Sequence, residues 1–548
     1  MNDASAVSQI LTSAKTSVFD AVVIGAGISG MFMLYRLREL GMTARVLEAG
    51  TDVGGTWYWN RYPGARFDSE SWTYGYSFSK ELMQEWDWRE HFSPQPDTLA
   101  YLNYVADKFD LRRDIQFSSR VTSAAWDDDA NLWTTTTEAG EQFSSRFLVT
   151  AVGVLSTPTL PLIPGRESFA GPAYHPGLWP HTPVDFKGKR VGVIGTGATA
   201  IQAIPEIAKQ ADHVTVFQRR PNWAAPLHNA MISKAEMEEI KSRYDEIYAH
   251  CRRTSSWFIH MTDPRKTFDV SPEEREAFWE KLYSEPGFGI WMGNFRDILI
   301  DEKANAEITR FIANKIRQRV KDPEVAEKLI PKDHGFGTRR VPLESGYFEA
   351  YNRDNVLLVD VKKDEPIERI TSKGVKTSRQ EYAFDILVLA TGFDGVTGAF
   401  DRIDFRGPGG LSLKDVWVDG QPRTFLGMLA DGFPNMLMVL GPHTARGNIP
   451  QAIEHCVNFQ AGLLRFMKEN GYSRVATQPE HVAEWTETVI KASEPLLSSK
   501  IDSWQTGVNR NVEGRSVRRV LGYNGNGVSY RKKTDEVARN GYAELVFR

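Results

Sequence analysis

Two glycine-rich turns, "GAGISG" at residues 25–30 and "GTGATA" at residues 195–200, limit what this chain can fold into more than anything else in it. Each follows a short β-branched run, at 22–24 and 191–194, and each opens an apolar helical pattern, marked in the first by Met31, Leu34, Leu37 and Leu40. Strand, G-x-G-x-x-G/A turn and helix together make a dinucleotide site. The first glycine allows the turn, the second lets backbone approach a pyrophosphate, and the third lets helix and strand pack closely at a helix N-terminus that favours anions. Gly25, Gly27 and Gly30 fill these places in the first unit, and Glu48, 23 residues beyond Gly25, ends the second strand as an acceptor for a ribose hydroxyl. Gly195, Gly197 and Ala200 fill them in the second. There the same interval lands on neutral Gln218, followed by Arg219 and Arg220. A carboxylate would repel a 2′-phosphate, whereas two guanidiniums pair with one. The first unit therefore suits FAD, and the second suits NADPH rather than NADH.

A chain of 548 residues exceeds one compact core. Buried-strand runs at 146–153 and 384–394 mark two places where the chain crosses between nucleotide units. The expected fold is α/β, with two Rossmann-like dinucleotide-binding domains, the NADP domain inserted in the FAD domain. The expected order is a flexible arm over 1–17, a first FAD part over 18–155, and an NADP part over 156–390. The second FAD part covers 391–548 and carries a mobile loop near 500–515. Charged helical segments at 226–330 read as an insertion within the NADP half, with capped starts at Ser233, Ser271-Pro272 and Asp322-Pro323. With 41% hydrophobic and 25% charged residues and a net charge of −4, the composition gives no reason to expect nucleic acid or an anionic membrane as partner. No apolar run approaches the roughly 18 residues of a spanning helix. Two distant cysteines, Cys251 and Cys456, argue for a reducing cytosol and against a disulfide framework. No metal site is expected, and the protein reads as a monomer or weak oligomer.

NADPH beside a flavin means hydride transfer to the flavin ring, and the open question is where the electrons go next. A disulfide reductase would carry a cysteine pair after the first unit, but "VGGTWYWNRYPGARFDSES" has none. Simple reductases and oxygen activation remain. Two further patterns bear on the choice. "FAGPAYHPGLWP" (169–180) matches F-x-G-x-x-x-H-x-x-x-W-P/D through Phe169, Gly171, His175 and Trp179. G-G-x-W-x-x-x-x-Y-P-G-x-x-x-D is matched by Gly54, Gly55, Trp57, Tyr62, Pro63, Gly64 and Asp68. In these the chain resembles the type I Baeyer–Villiger monooxygenases, and is similar in tone to the phenylacetone, steroid and cyclohexanone branch from about residue 20 onward. The resemblance implies NADPH- and O2-dependent conversion of a ketone to an ester or lactone, with NADP+ retained during turnover.

It also implies roles. Arg340 in "GFGTRRVP" would hold a C4a-peroxyflavin in its anionic, nucleophilic form, and Asp68 would orient that arginine. A unit charge about 4 Å away at an effective dielectric of about 20 is worth about 4 kcal/mol, enough to shift such an equilibrium about a thousandfold. For FAD the resemblance adds Ser29, Gly55, Thr56, Trp57, Asp68, Tyr74 and Val121. For the nicotinamide nucleotide it adds Thr196, Gly197, Ala198, Thr199 and Gln202 at the pyrophosphate turn, with Arg219, Arg220 and Arg339 at the 2′-phosphate. Arg339 stands where relatives usually carry Lys. Trp504 in "DSWQTGVNRN" matches a tryptophan on a gating loop. His175 and Trp179 are expected to brace the angle between domains rather than to exchange protons. Val154 and "GPHTARGNIP" (441–450) depart from the usual family versions and bear on pocket shape, His443 reads as a loop donor, and Glu454 and His455 as helix surface or pocket rim. Two other functions stay open: S- or N-oxygenation by the same cofactor pair, which Arg340 and Trp179 disfavour as the main activity, and a flavoprotein redox sensor without turnover.

Overall fold

The computed structural model describes residues 18–548, so the arm expected over 1–17 lies outside the described residues. The apolar run Phe19–Ile24 forms a strand because its β-branched residues suit a sheet that is covered on both faces. It lies between Ala44–Leu47 and Gln142–Thr150, parallel to both, in a ten-stranded sheet. Gln142–Thr150 serves two purposes. Its first half pairs antiparallel with Leu132–Thr137, and its second half pairs in parallel with Met436–Met438, which arrives from the far end of the sequence. The helix Ile28–Glu39 packs on this sheet and ends with Arg36 and Arg38 in its last turn, where cations suit the helix dipole.

The second unit is a five-stranded, wholly parallel sheet in the order Val356–Asp360, His213–Gln218, Arg190–Ile194, Ile386–Leu389, Ala173–Tyr174. Its first turn repeats the geometry of the other unit. Gly25 has φ +103° and Gly195 φ +113°, and a Cβ on either would meet a backbone carbonyl, of Ala151 at 2.6 Å or Ala390 at 2.3 Å. No other residue fits such a turn.

The helical stretch begins at Lys234–Ser242 and ends at Pro323–Leu329. The Ser233 hydroxyl accepts from Glu236 N–H, Ser271 from Glu274 N–H, and Asp322 from the N–H groups of Glu324 and Val325, so each expected cap is in place. The stretch does not pack on the second sheet alone. Trp279, Phe295, Phe311 and Ile312 join the core of the five-stranded sheet, but Met237, Ile240, Tyr244 and Tyr248 join the core of the ten-stranded one. The insertion expected at 226–330 thus packs on both cores, the apolar faces of its first two helices joining that of the ten-stranded sheet.

The two chain crossings lie side by side. Val396 N–H donates to Val154 O at 2.7 Å, Asp394 N–H to Thr157 O at 2.9 Å, and Thr159 N–H to Gly392 O at 2.9 Å. The junction is thus a short two-stranded ribbon.

Candidate functional site

The first glycine turn opens a cavity of about 450 Å³. Gly25, Gly27, Ser29 and Glu48 line one end, Gly55, Thr56, Trp57 and Tyr74 its side, and Val121 with Val154 its far wall. Leu440, Ile449 and Ile453 come in from the C-terminal part. Gly30 is set back, where its missing side chain lets the helix close on Gly25. The backbones of Gly27 and Gly55 meet at the mouth, and a Cβ on Gly55 would come within 2.8 Å of Gly27 Cα. Glu48 is buried and accepts from Ala26 and Gly50 N–H, both at 2.7 Å, while burial raises its carboxyl above the usual range. Trp57 Nε1 donates to the Tyr74 hydroxyl at 3.2 Å, holding two rings edge to face. A glycine cradle at a helix N-terminus, a fixed acid and a flat aromatic wall fit a flavin dinucleotide.

The second turn opens a cleft of about 530 Å³. Gly195, Thr196, Gly197 and Ala198 line it, as do Arg219, Arg220, Arg339, Arg340 and Trp504. Two residues expected there, Thr199 and Gln202, lie elsewhere, while Ala200 takes the packing place of the third motif position. Ala200 is fully buried beneath the turn. Thr199 and Gln202 sit on the helix face turned to the other domain, because residues 199 and 202 fall one turn apart. Gln202 accepts from the Tyr62 hydroxyl at 2.7 Å and donates to Arg66 O at 3.0 Å. Of the arginines, Arg220 is partly neutralised by Asp333 at 3.4 Å, whereas the charged neighbours of Arg219 are other arginines, Arg220 and Arg510. Arg339 donates to the Asp502 carbonyl and keeps a buried, unpartnered Nε. Burial, above all, holds Arg339 below the usual arginine range. An anion would relieve this crowding, so the cleft fits a nucleotide with a 2′-phosphate.

Arg340 lines the cleft and reaches across to Asp68 of the first FAD part. Its Nη1 meets Asp68 Oδ2 at 2.6 Å and also donates to Val341 O at 2.9 Å. Asp68 is 3% exposed at its side chain and accepts further from Leu343 N–H at 3.1 Å. One face of the guanidinium is covered by the Phe288 ring, 5.5 Å away. The arginine keeps a third of its side chain exposed, so it is fixed yet accessible. Neither Phe288 nor what holds it belongs to any of the sequence motifs. Glu70, two residues past Asp68, bonds His260 Nε2 at 3.0 Å, and Phe288 N–H meets that same nitrogen at 3.1 Å. One bend, residues 68–70, therefore reaches both Arg340, through Asp68, and His260, whose Nε2 also lies against the Phe288 N–H.

His175 has both ring nitrogens occupied. Nδ1 accepts from Gly177 N–H and Nε2 lies against Gly392 O, each at 3.0 Å, while the ring meets Phe393 edge to face. Burial lowers it to about 4. A neutral histidine with no free nitrogen is a brace, and it clamps the crossing ribbon. Trp179, expected to brace the junction with it, does not: it packs on Tyr174 and Phe186 inside the core of the five-stranded sheet. Phe169 lies over Gly171, where a Cβ would come within 2.8 Å of the ring. Phe393 lines both the cavity and the cleft.

The 500–515 segment is seated over the cleft. Asn509 donates to Phe393 O at 3.1 Å and Asn511 to Thr391 O at 3.2 Å, while Trp504 packs on Gly395. Of Glu454 and His455, expected at a surface or rim, Glu454 is buried and His455 half-buried. Glu454 takes N–H bonds from Ser77 at 2.6 Å and Phe78 at 3.2 Å, and His455 meets Thr534 Oγ1 at 2.8 Å. The helix Ile449–Asn470 that carries them is covered on most sides. His443 bonds Val520 O at 3.0 Å and burial lowers it to about 4.

The sequence model of the flavin-binding monooxygenase-like family matches residues 20–233. The chain is 45% identical to a 2-oxo-Δ3-4,5,5-trimethylcyclopentenylacetyl-CoA monooxygenase of Pseudomonas putida, over 96% of this chain and 98% of that protein. It is 41% identical to an acetone monooxygenase (methyl acetate-forming) of Gordonia, over 96% and 99%. A phenazine N-monooxygenase of Lysobacter antibioticus is 42% identical over 96% and 97%. A crystal structure of OTEMO in complex with FAD and NADP superposes with a TM-score of 0.93 at 43% identity, covering 97% of this chain and all of that one. With this likeness extending over nearly its whole length, the chain belongs to the flavin-binding monooxygenases, in their Baeyer–Villiger branch.

Proposed function

We propose that the protein uses NADPH and O2 to convert ketones to esters or lactones, with FAD in the cavity at the first turn and NADPH in the cleft at the second. The observation that carries this reading is Arg340, a guanidinium anchored by buried Asp68 at 2.6 Å, a third exposed, and lining the nucleotide cleft. When bound, the flavin would supply the redox chemistry, with hydride from NADPH, one atom of O2 going to the substrate and the other leaving as water. The chain's own contribution is positional and electrostatic. Asp68 and Phe288 hold Arg340 in one rotamer, so its charge costs no reorganisation when negative charge develops on oxygen nearby. Asp68 tempers that charge without removing it. Gly27, Gly55 and Glu48 seat the flavin nucleotide, and Arg219, Arg220 and Arg339 grip the 2′-phosphate. Trp504 and the tied loop around it keep water out of the cleft. His175 holds the ribbon that sets the distance between the two nucleotides.

Purified protein loaded with FAD should oxidise NADPH faster when a cyclic ketone is added and return the matching lactone. NADPH oxidation that yields only H2O2 across a panel of cyclic, linear and aryl ketones would sink the reading. A second activity, heteroatom oxygenation, draws support from the 42% identity to a phenazine N-monooxygenase. Turnover of thioethers or N-heterocycles without any ketone turnover would make it the primary one.

A further inference from the structure

Residues 441–448 join Leu440 to Ile449, both of which line the cavity at the first glycine turn. This loop carries one cation, Arg446, and its situation is unusual. Its Nη2 donates to the Leu521 carbonyl, and the guanidinium lies against Gly522, where a Cβ would come within 3.0 Å of Nη2. Its Nε is buried with no partner. Among the described residues no carboxylate pairs with it, and burial lowers it to about 10. Yet the residue keeps some accessible surface. It is therefore half-buried rather than sealed in packing.

The arginines on the adjoining segment are treated differently. Arg515, with its side chain 7% exposed, pairs with Asp394 at 3.4 Å and with Asp401. Arg518 pairs with Asp502 at 2.8 Å. Buried Arg515 and exposed Arg518 are both neutralised by carboxylates, and Arg446 is not.

The loop's contacts lead step by step to the ring that covers Arg340. Asn448 N–H donates to Ser256 O at 2.9 Å, and Ser256 Oγ reaches Met292 Sδ at 3.9 Å. Met292 N–H donates to Phe288 O at 2.8 Å, and Phe288 is the ring against Arg340. On the other side, Leu521 packs beside Gly507, three residues past Trp504 in the nucleotide cleft. Arg446 thus belongs to a chain of contacts that runs from Arg340 to the loop covering the cleft.

Leaving a charge buried without a partner costs several kcal/mol. Leu or Gln at this position would avoid the cost, so the charge points to an anion that arrives with a ligand. The phosphates of the two nucleotides have their own donors at the glycine turns and at Arg219 and Arg339. Resting on the ketone-oxygenating function proposed above, we infer that Arg446 recognises a carboxylate on the substrate, so that the preferred substrates are keto acids rather than neutral ketones. Arg446 is then a specificity-determining residue, and Arg340 keeps the charge at the reacting end.

The test uses the FAD-loaded full chain and cyclohexanones that carry a carboxylate on a tether of zero to three carbons, each compared with its methyl ester. In the wild type, at one tether length at least, kcat/KM for the acid should exceed that for the ester by about 10-fold. In Arg446→Gln the acid-to-ester ratio should fall by about 10- to 100-fold, and Arg446→Lys should restore part of it. The inference is overturned if no acid outperforms its ester in the wild type, a comparison that needs no variant. It is equally overturned if Arg446→Gln weakens acid and ester alike, or if the variant's main defect is a raised KM for NADPH. Turnover of plain cyclohexanone separates the two levels. If it is absent along with every tethered ketone, the ketone-oxygenating function itself fails; if it is present without acid preference, only the present inference does.

Discussion

At the scale of single residues, what distinguishes this site is how completely its charges and rings are tied down. Arg340 is held by a salt bridge, a backbone carbonyl and a ring face. Replacing it with Ala should lower lactone formation by at least about 100-fold, the size of effect seen when a fixed transition-state donor is lost. NADPH consumption should persist and appear as H2O2, measured by catalase-sensitive oxygen return. His175 makes a different prediction. Its pKa is lowered from 6.5 to about 4 by burial, so the folded state resists a proton that the unfolded state accepts. The stability this neutral histidine contributes is complete above pH 6.5 and falls as the pH drops toward 4, by about 3 kcal/mol over the window. His175→Gln should flatten the decline of Tm between pH 7 and pH 4.5, and an unchanged slope would show that the ring takes up its proton as easily folded as unfolded. Glu70 and His260 add a third prediction. If they act by seating Phe288 against Arg340, His260→Ala should raise H2O2 release per NADPH several-fold with little change in KM for NADPH. His260→Gln, which retains an acceptor for Phe288 N–H, should recover much of the coupling.

At the scale of elements, the helices and loops that matter are those tied across the junction. Asn509 and Asn511 pin the loop over the cleft to Phe393 and Thr391. Removing both side chains should raise KM for NADPH by about 3- to 10-fold, since each neutral hydrogen bond contributes about 1 kcal/mol net. Pre-steady-state NADP+ release should quicken in parallel. The elements also differ in how far residue order reveals them. Both nucleotide turns are legible because their signals are local: Gly25 and Gly195 need positive φ, and the strand and helix on either side carry distinct periods. The Asp68–Arg340 pair follows from family likeness, since nothing within either segment shows that positions 272 apart will meet. The faces of long helices are not legible. Glu454 looks like a surface position and Gln202 like a nucleotide contact until neighbouring elements arrive, Ser77 and Phe78 over one and Tyr62 over the other. Trp179 departs from its expected place at the junction for the same reason: a buried ring declares that it is covered, and not by which core.

At the scale of the whole molecule, two sheets meet along one ribbon, residues 154–159 against 391–396, and His175 clamps it through Gly392. The helical stretch spans both cores, with Tyr248 bonding Trp72 and Gly75 carbonyls on one side and Trp279 buried on the other. This ties the position of Phe288, and so of Arg340, to the relation between the two nucleotide units. Everything proposed for the enzyme depends on a fixed guanidinium at this meeting point, which directs reduced oxygen into a ketone rather than to peroxide. The decisive quantity is the share of NADPH electrons recovered as lactone under 18O2, in wild type and in Arg340→Ala, with FAD bound and ketone saturating. The wild type should return nearly one lactone per NADPH, carrying one 18O, and the variant mostly H2O2. Labelled lactone at an undiminished yield from Arg340→Ala would refute the role given to this arginine.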